Sequence, residues 1–282
     1  MTVHFGLLTE VTDRSLDAAT VARIVESAGI ESVFFGEHSH IPASRETPYP
    51  GEGGNLPPGY ERILDLFVVL TQAALATTEL KIGTGICQIA QRDPILTAKA
   101  VASVDHVSRG RLILITGSSW NLEEMRNHGT DPQTRYELVE ERVLAMREIW
   151  ASDEATFHGQ FVNFDRIWSW PKPVQNPLPV FVGGNSPGAE ERALRAGTGW
   201  APIHLPGILE RVSGFLRKAA DDGDVTAVTV VGEDASAQML DAYAAAGAER
   251  WIFALPICAD ESELEREIEK VLAIQTELTG TM

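Results

Sequence analysis

The chain has 282 residues, of which 44% are apolar and 22% charged, usage that argues against a disordered polymer. Lys and Arg total 23 against 40 Asp and Glu, so the formal charge of −17 opposes a polyphosphate backbone and makes nucleic acid an unexpected partner. The only cysteines, Cys87 and Cys258, match no C-x-x-C pattern, which argues against a disulfide scaffold or a cysteine-rich zinc site.

Short apolar runs alternate with amphipathic stretches from end to end. The first run is Val3 to Leu8. A helix follows with Leu16, Thr20, Ile24 and Ala28 on one stripe, Ser15 as its expected cap and Gly29 just past its end. Ser32 to Phe35 is the second strand. A helix from about Arg62 to Ala76 then leads to the third strand, Leu80 to Ile86. Pro94 opens the next helix as a good first-turn residue, and Arg111 to Thr116 is the fourth strand. A long helix is predicted over roughly 133–150, with Val139, Val143, Met146 and Trp150 at helical spacing. Further strands are read at 180–182, 200–203, 227–231 and 250–253. The last helix starts at an Asp260/Glu263 capping box and carries Leu264, Ile268, Val271 and Leu278.

Eight strands, each followed by a helix, fit an α/β fold, and in this length a single (β/α)8 TIM barrel over residues 1–282. The alternative, an open doubly wound sheet, lacks its usual G-x-G-x-x-G turn, because Gly6 stands alone after the first strand's start. Surplus length falls in two insertions. Residues 37–61, rich in Pro and Gly, are expected to form a lid after the second strand. Residues 151–178, before the fifth strand, carry Trp168 and Trp170 and suggest a hairpin. No apolar run reaches about 18 residues, and the segment Met1 to Phe5 has no signal-peptide pattern. A cytoplasmic protein acting on a small molecule, with no membrane partner, is the expectation.

Barrel enzymes place chemistry at the C-terminal ends of their strands. Those ends carry Glu10, then Glu37, His38 and His40, then Cys87 and Gln88. They continue with Ser118, Ser119 and Trp120, then Gly183, Gly184 and Ser186, and finally His204, Glu233 and Leu255. Gly183 to Gly188 follows a strand and opens a helix, so its backbone N–H groups suit an anion; a plain strand-to-helix turn is the other reading. His38 and His40 could ligate a metal with His204 as third ligand, as in a barrel hydrolase. His38 could instead be a general acid or base beside Glu37, or both histidines could be polar loop residues. Gly83 and Gly85 inside a strand imply either a bulge against a flat ligand or tight barrel packing. Trp120 could wall a pocket or simply pack.

Gly83–Ile86, Asp93–Lys99, Val104–Arg111, Ser119–Glu124, Phe157–Gly159, Pro171–Gln175, Pro179–Pro187 and Gly199–Pro202 occur in an order and spacing that resemble the luciferase-like monooxygenase superfamily. Tyr60–Asp65 and the Gly-Gly-Asn-Ser-Pro loop most resemble its branch that uses the deazaflavin coenzyme F420. The flavin mononucleotide (FMN) branch is the near neighbour. The resemblance implies coenzyme phosphate on Gly183, Gly184 and Ser186, the ring against a bulge at Gly85, Ile86 and Cys87, and contacts from Ser118 and Ser119. It implies that Glu37 and His38 match an acid–histidine pair of F420-linked sugar-phosphate dehydrogenases, with His38 exchanging a proton with substrate. Those dehydrogenases carry a second acid where this chain has Trp120, so their sugar substrate does not carry over. Glu10, His40, Trp120 and His204 are left to line the substrate pocket, with no resident metal. Family members are often dimers, so a homodimer is also implied. A coenzyme-binding barrel without turnover is the alternative that the added Ser118 and Ser119 side chains raise.

Overall fold

The computed structural model describes residues 3–222, 227–233 and 235–280. Eight parallel strands close a barrel: β1 (His4–Thr9), β2 (Ser32–Phe35), β3 (Lys81–Thr84), β4 (Leu112–Thr116), β7 (Val180–Gly183), β8 (Gly199–Ala201), β9 (Ala227–Gly232) and β10 (Arg250–Ala254). Each pairs with the next in that order, and β10 returns to β1 in register from His4↔Arg250 to Leu8↔Ala254. The remaining pair, β5 (Ala155–His158) and β6 (Asn163–Ile167), is the antiparallel hairpin expected in the second insertion. The TIM barrel is therefore the fold.

The helices are α1 (Ala18–Ser27), α2 (Leu66–Ala76), α3 (Pro94–Ser108), α4 (Leu122–Asn127) and α5 (Arg135–Ala151), then α6 (Ala189–Ala196), α7 (Ile208–Asp222), α8 (Ala237–Ala246) and α9 (Glu261–Gly280). Their caps correct several sequence expectations. Asp17, not Ser15, caps α1 by accepting from Thr20 N–H, whereas the Ser15 hydroxyl accepts from Thr12 N–H at 2.8 Å. Helix α2 starts at Leu66 rather than near Arg62, because the Asp65 carboxylate accepts from Phe67 and Val68 N–H. Helix α6 begins at Ala189, after Gly188 in the left-handed region (φ 74°). At α9 the Asp260 carboxylate does accept from Glu263 N–H at 3.0 Å.

Two apolar layers hold this arrangement. Phe34, Ile113, Ile115, Phe181, Ala201 and Ile252 fill the barrel interior, and a larger cluster joins the strands' outer faces to the helices. Gly83 answers to that interior: a Cβ there would sit 2.3 Å from the Phe34 ring. Barrel packing is the reason for glycine at this position. At the opposite end from the site, the fully buried Arg250 reaches Glu31 through Nε and Nη2 at 2.8 and 2.9 Å. Among the described residues, no helix is long and apolar enough to cross a membrane.

Candidate active site

The loop after β4 positions most of the site's chemistry. The backbone turns at Ser119 (φ 65°), and Asn121 then caps α4 by accepting from Glu124 N–H at 3.0 Å. Capping starts the helix at Leu122, so Glu123 and Glu124 occupy its first turn, where the N-terminal dipole favours carboxylates. Both reach back across the barrel mouth to the segment after β2.

Glu124 is fully buried, and its Oε2 lies 2.7 Å from Nδ1 of His38, which is itself 6% exposed. Its Oε1 accepts from Ser39 N–H at 2.9 Å. Burial alone would raise the Glu124 carboxyl; the His38 contact and the Ser39 N–H override it and hold the carboxyl below its usual range. Trp120 donates its indole N–H to His38 Nε2 at 3.2 Å. An indole nitrogen can only donate, so Nε2 carries the lone pair and Nδ1 carries the proton given to Glu124. Two independent partners thus fix one tautomer.

Glu37 does not make that contact. Its carboxylate accepts from Gln88 N–H at 2.7 Å and from Arg92 Nε at 2.6 Å. Gln88 in turn brings its amide nitrogen to 3.3 Å from His38 Nε2, the ring nitrogen able to accept from it. The carboxylate on His38 is Glu124, which sequence reasoning passed over. The signal was Asn121-Leu-Glu-Glu124, a cap residue with an acid three positions on.

His38 and Trp120 line a cavity of about 340 Å³ at the C-terminal end of the barrel. Leu8, Ile86, Ile115, Ala201 and Val231 give it an apolar floor, and Gly85, Gly117, Ser118, Ser119, Gly183 and Gly184 complete the rim. The Gly85–Ile86 peptide is cis. Cβ atoms at Gly85 and Gly117 would lie 2.6 Å from Leu8 Cδ1 and 2.7 Å from Ile86 Cδ1, so both glycines let the chain approach closely. Cys87 is fully buried behind this rim, its thiol pushed up by burial and by the Glu37 charge. Its backbone ties the segment to β4 through Ile115 O (2.8 Å) and Gly117 N–H (3.1 Å).

The loop from Gly183 to Gly188 closes one side. A Cβ on Gly184 (φ 101°) would meet nothing within 4 Å, so the space before this loop is open. Ser186 accepts from Arg192 Nη2 at 2.6 Å, Arg211 donates to Asn185 O at 3.1 Å, and the buried Trp200 indole donates to Gly184 O at 3.0 Å. Sequence reasoning gave none of Arg192, Arg211 or Trp200 a role, because their proximity depends on two helices and a strand meeting.

The segment after β2 lies over the mouth. Tyr49 and Tyr60 pack edge to face at 5.4 Å; Tyr60 is 5.1 Å from the His38 ring, and Tyr49 is 5.5 Å from Trp120. Glu123 anchors it, accepting from Thr47 N–H at 2.8 Å and from the Thr47 hydroxyl. Beyond Tyr49 and Tyr60, a second cavity of about 550 Å³ is lined by Glu10, Glu233, Phe253, Ile257 and residues of α9. Burial pushes the Glu10 carboxyl up to about 7. Burial and then the Glu10 charge push the Tyr60 phenol up.

The remaining sequence candidates lie elsewhere. His40 contacts Ser39, Asn127 and the neighbouring His128 ring rather than either cavity. His204 is held by the Tyr243 hydroxyl at 2.8 Å and packs on Trp251. The structure does not bring His38, His40 and His204 together as a metal set.

The family model for luciferase-like monooxygenases matches residues 3–208. An uncharacterized Mycobacterium tuberculosis protein is 37% identical over 203 residues, 70% of this chain and 71% of that one. An FMNH(2)-dependent dimethylsulfone monooxygenase of Pseudomonas putida is 33% identical over 58% of this chain and 47% of its own length. An F420-dependent glucose-6-phosphate dehydrogenase of Kineococcus radiotolerans is 28% identical over 62% and 48%. Among solved structures, an F420-dependent secondary alcohol dehydrogenase in complex with an F420-acetone adduct superposes with a TM-score of 0.67 at 21% identity, covering 97% of this chain and 91% of that one. With more than half of its length matched by the family model, the chain belongs to the luciferase-like monooxygenase family.

Proposed function

We propose that this protein is an oxidoreductase that binds coenzyme F420 in the cavity beside His38 and moves hydride to or from a small organic substrate. The observation that carries the reading is a buried histidine of fixed tautomer that lines an apolar cavity, its lone-pair nitrogen held by the Trp120 indole that lines the same cavity. The residues fit such a group. The glycine-rimmed floor suits a flat ring, and the open face of Gly184 beside Ser186 and Arg192 suits its phosphate. That local cradle is needed because a net charge of −17 repels an anion at longer range.

When bound, the deazaflavin supplies the hydride chemistry. The chain's own residues do the rest. Gly85, Ile86, Ser118, Ser119, Gly183 and Gly184 bound the ring's cavity, and Cys87 holds its bulge through backbone bonds. His38 accepts or returns the substrate proton at Nε2 once the Trp120 indole N–H, which occupies that lone pair, turns aside; Glu124 holds the imidazole in register, and Glu37 fixes Gln88 against it. Trp120, Tyr49 and Tyr60 exclude water over the reacting atoms, and the Glu10 cavity receives the substrate's remainder.

The test is titration of the purified chain with F420 and, separately, with FMN, followed by single-turnover hydride exchange. Micromolar binding of F420 is expected, and binding of neither compound overturns the reading. Binding of FMN alone, with oxygen consumption, selects the monooxygenase chemistry named for the Pseudomonas relative. The variant His38→Asn is expected to bind F420 normally while turnover falls about 10²- to 10⁴-fold, the range of a lost general acid or base. Unchanged turnover removes the proton-transfer role.

A further inference from the structure

We propose that His40, His128 and Glu124 form a binding site for a divalent transition-metal ion, best matched by zinc, at the outer wall of the active site. One ligand atom of each residue lies within 4.8 Å of the other two, and the three come from the segment after β2, from α4 and from the residue that follows α4. The three side chains converge on one point, now held by the Ser39 hydroxyl. Its oxygen is 2.9 Å from His40 Nδ1, 2.6 Å from His128 Nε2 and 3.1 Å from Glu124 Oε1.

The hydrogen bonding there has a single consistent assignment. Ser39 donates to the Glu124 carboxylate and accepts from both imidazoles, and Asn127 donates to His40 Nε2 at 2.8 Å. Each imidazole therefore turns toward the shared point the nitrogen that a metal ion would use once the ring proton has moved to its other nitrogen, Nδ1 of His128 and Nε2 of His40, where Asn127 turns its amide oxygen to accept it. Zinc bonds to imidazole and carboxylate run about 2.0–2.2 Å, so each ligand atom must close by roughly 0.5–1 Å as the hydroxyl rotates away. His128 is exposed and His40 half-buried, so both are free to make that movement, whereas Glu124 is buried and preset. Two nitrogens and one carboxylate oxygen, with water as the fourth ligand, select zinc, cobalt or nickel over magnesium or calcium.

Glu124 presents Oε1 to this site while Oε2 remains on His38. A bound ion would thus clamp the segment carrying His38 to the helix carrying Glu124 without displacing the histidine. None of this depends on which coenzyme the barrel takes.

The experiment uses the full chain, stripped of metal by chelator dialysis and titrated with cobalt(II). One cobalt per chain is expected, with the visible absorption of four-coordinate geometry, bleached by added zinc and untouched by magnesium. His40→Asn and His128→Asn are each expected to weaken binding about tenfold or more, whereas His106→Asn, an exposed histidine on α3, leaves it unchanged. Zinc should also raise the Tm of the unaltered chain and not that of the double variant His40→Asn/His128→Asn. Absence of cobalt binding at millimolar metal overturns the proposal. So does binding of equal strength in the double variant when circular dichroism shows it folded.

Discussion

A single carboxylate separates the site as read from sequence from the site as folded. Glu124 is buried against His38, whereas Glu37, adjacent in sequence, faces Arg92 and Gln88. Glu124→Gln keeps the shape but allows the amide to present its N–H to Nδ1, which favours the opposite tautomer. Turnover is expected to fall about 10²- to 10⁴-fold with F420 binding preserved, measured by single-turnover hydride exchange. Glu10 makes a second residue-scale prediction. Its folded pKa of about 7 lies above the ordinary 4.5, so the native state holds its proton more tightly than the unfolded chain does. That contribution is present below about pH 4.5 and is lost as pH rises through 7. At pH 8 the buried charge costs at most on the order of 3 kcal/mol, since the cavity it lines admits some solvent. Glu10→Gln is therefore expected to raise stability at pH 8 and leave it nearly unchanged at pH 4, as read by urea unfolding.

At the scale of elements, α4 couples the loop after β4 to the segment after β2. Glu123 and Glu124 sit side by side in its first turn and take separate tasks: one holds Thr47, the other His38. The consequence is that one helical turn anchors both the cover over the mouth and the histidine beneath it. Glu123→Ala removes the acceptor for both Thr47 groups, at about 1–2 kcal/mol. Limited proteolysis within residues 41–60 should then accelerate about tenfold while the barrel's Tm moves little. An unchanged cleavage rate would show that the tyrosine pair alone holds the cover.

For the whole molecule, the proposed active site and a buried ion pair occupy opposite ends of the barrel. The mouth carries the histidine and the glycine-rich rim, and the far end carries Arg250, sealed against Glu31 and flanked by Glu249. Burial opposes ionisation of Glu31, but Arg250 and then Lys81 outweigh it and lower its pKa to about 2. A depressed carboxylate stabilises the fold above about pH 4.5 and loses that contribution as pH falls toward 2. Glu31→Gln leaves the guanidinium buried with only Glu249 as a charged partner. The expected loss is about 3 kcal/mol at pH 7, shrinking toward zero near pH 2, in denaturant unfolding across that range.

The strand–helix alternation was legible in the sequence because apolar runs and amphipathic stripes are local properties, and eight of them in 282 residues leave a closed parallel barrel as the economical arrangement. Ser32–Phe35 matched residue for residue, and the hairpin before the fifth barrel strand was visible in its length and aromatics. The strand-end rule also put His38, Ser118 and Gly183 at the mouth, since a parallel barrel gathers all strand C-termini on one face. Cap identities were missed where several polar residues competed, as Ser15 and Asp17 did, because one rotamer decides the winner. Which carboxylate meets His38, and that His40 meets His128 rather than His204, depended on where α4 emerges from the barrel. Pairings 80 to 90 residues apart are fixed by packing and loop direction, and those come into being only when the barrel closes.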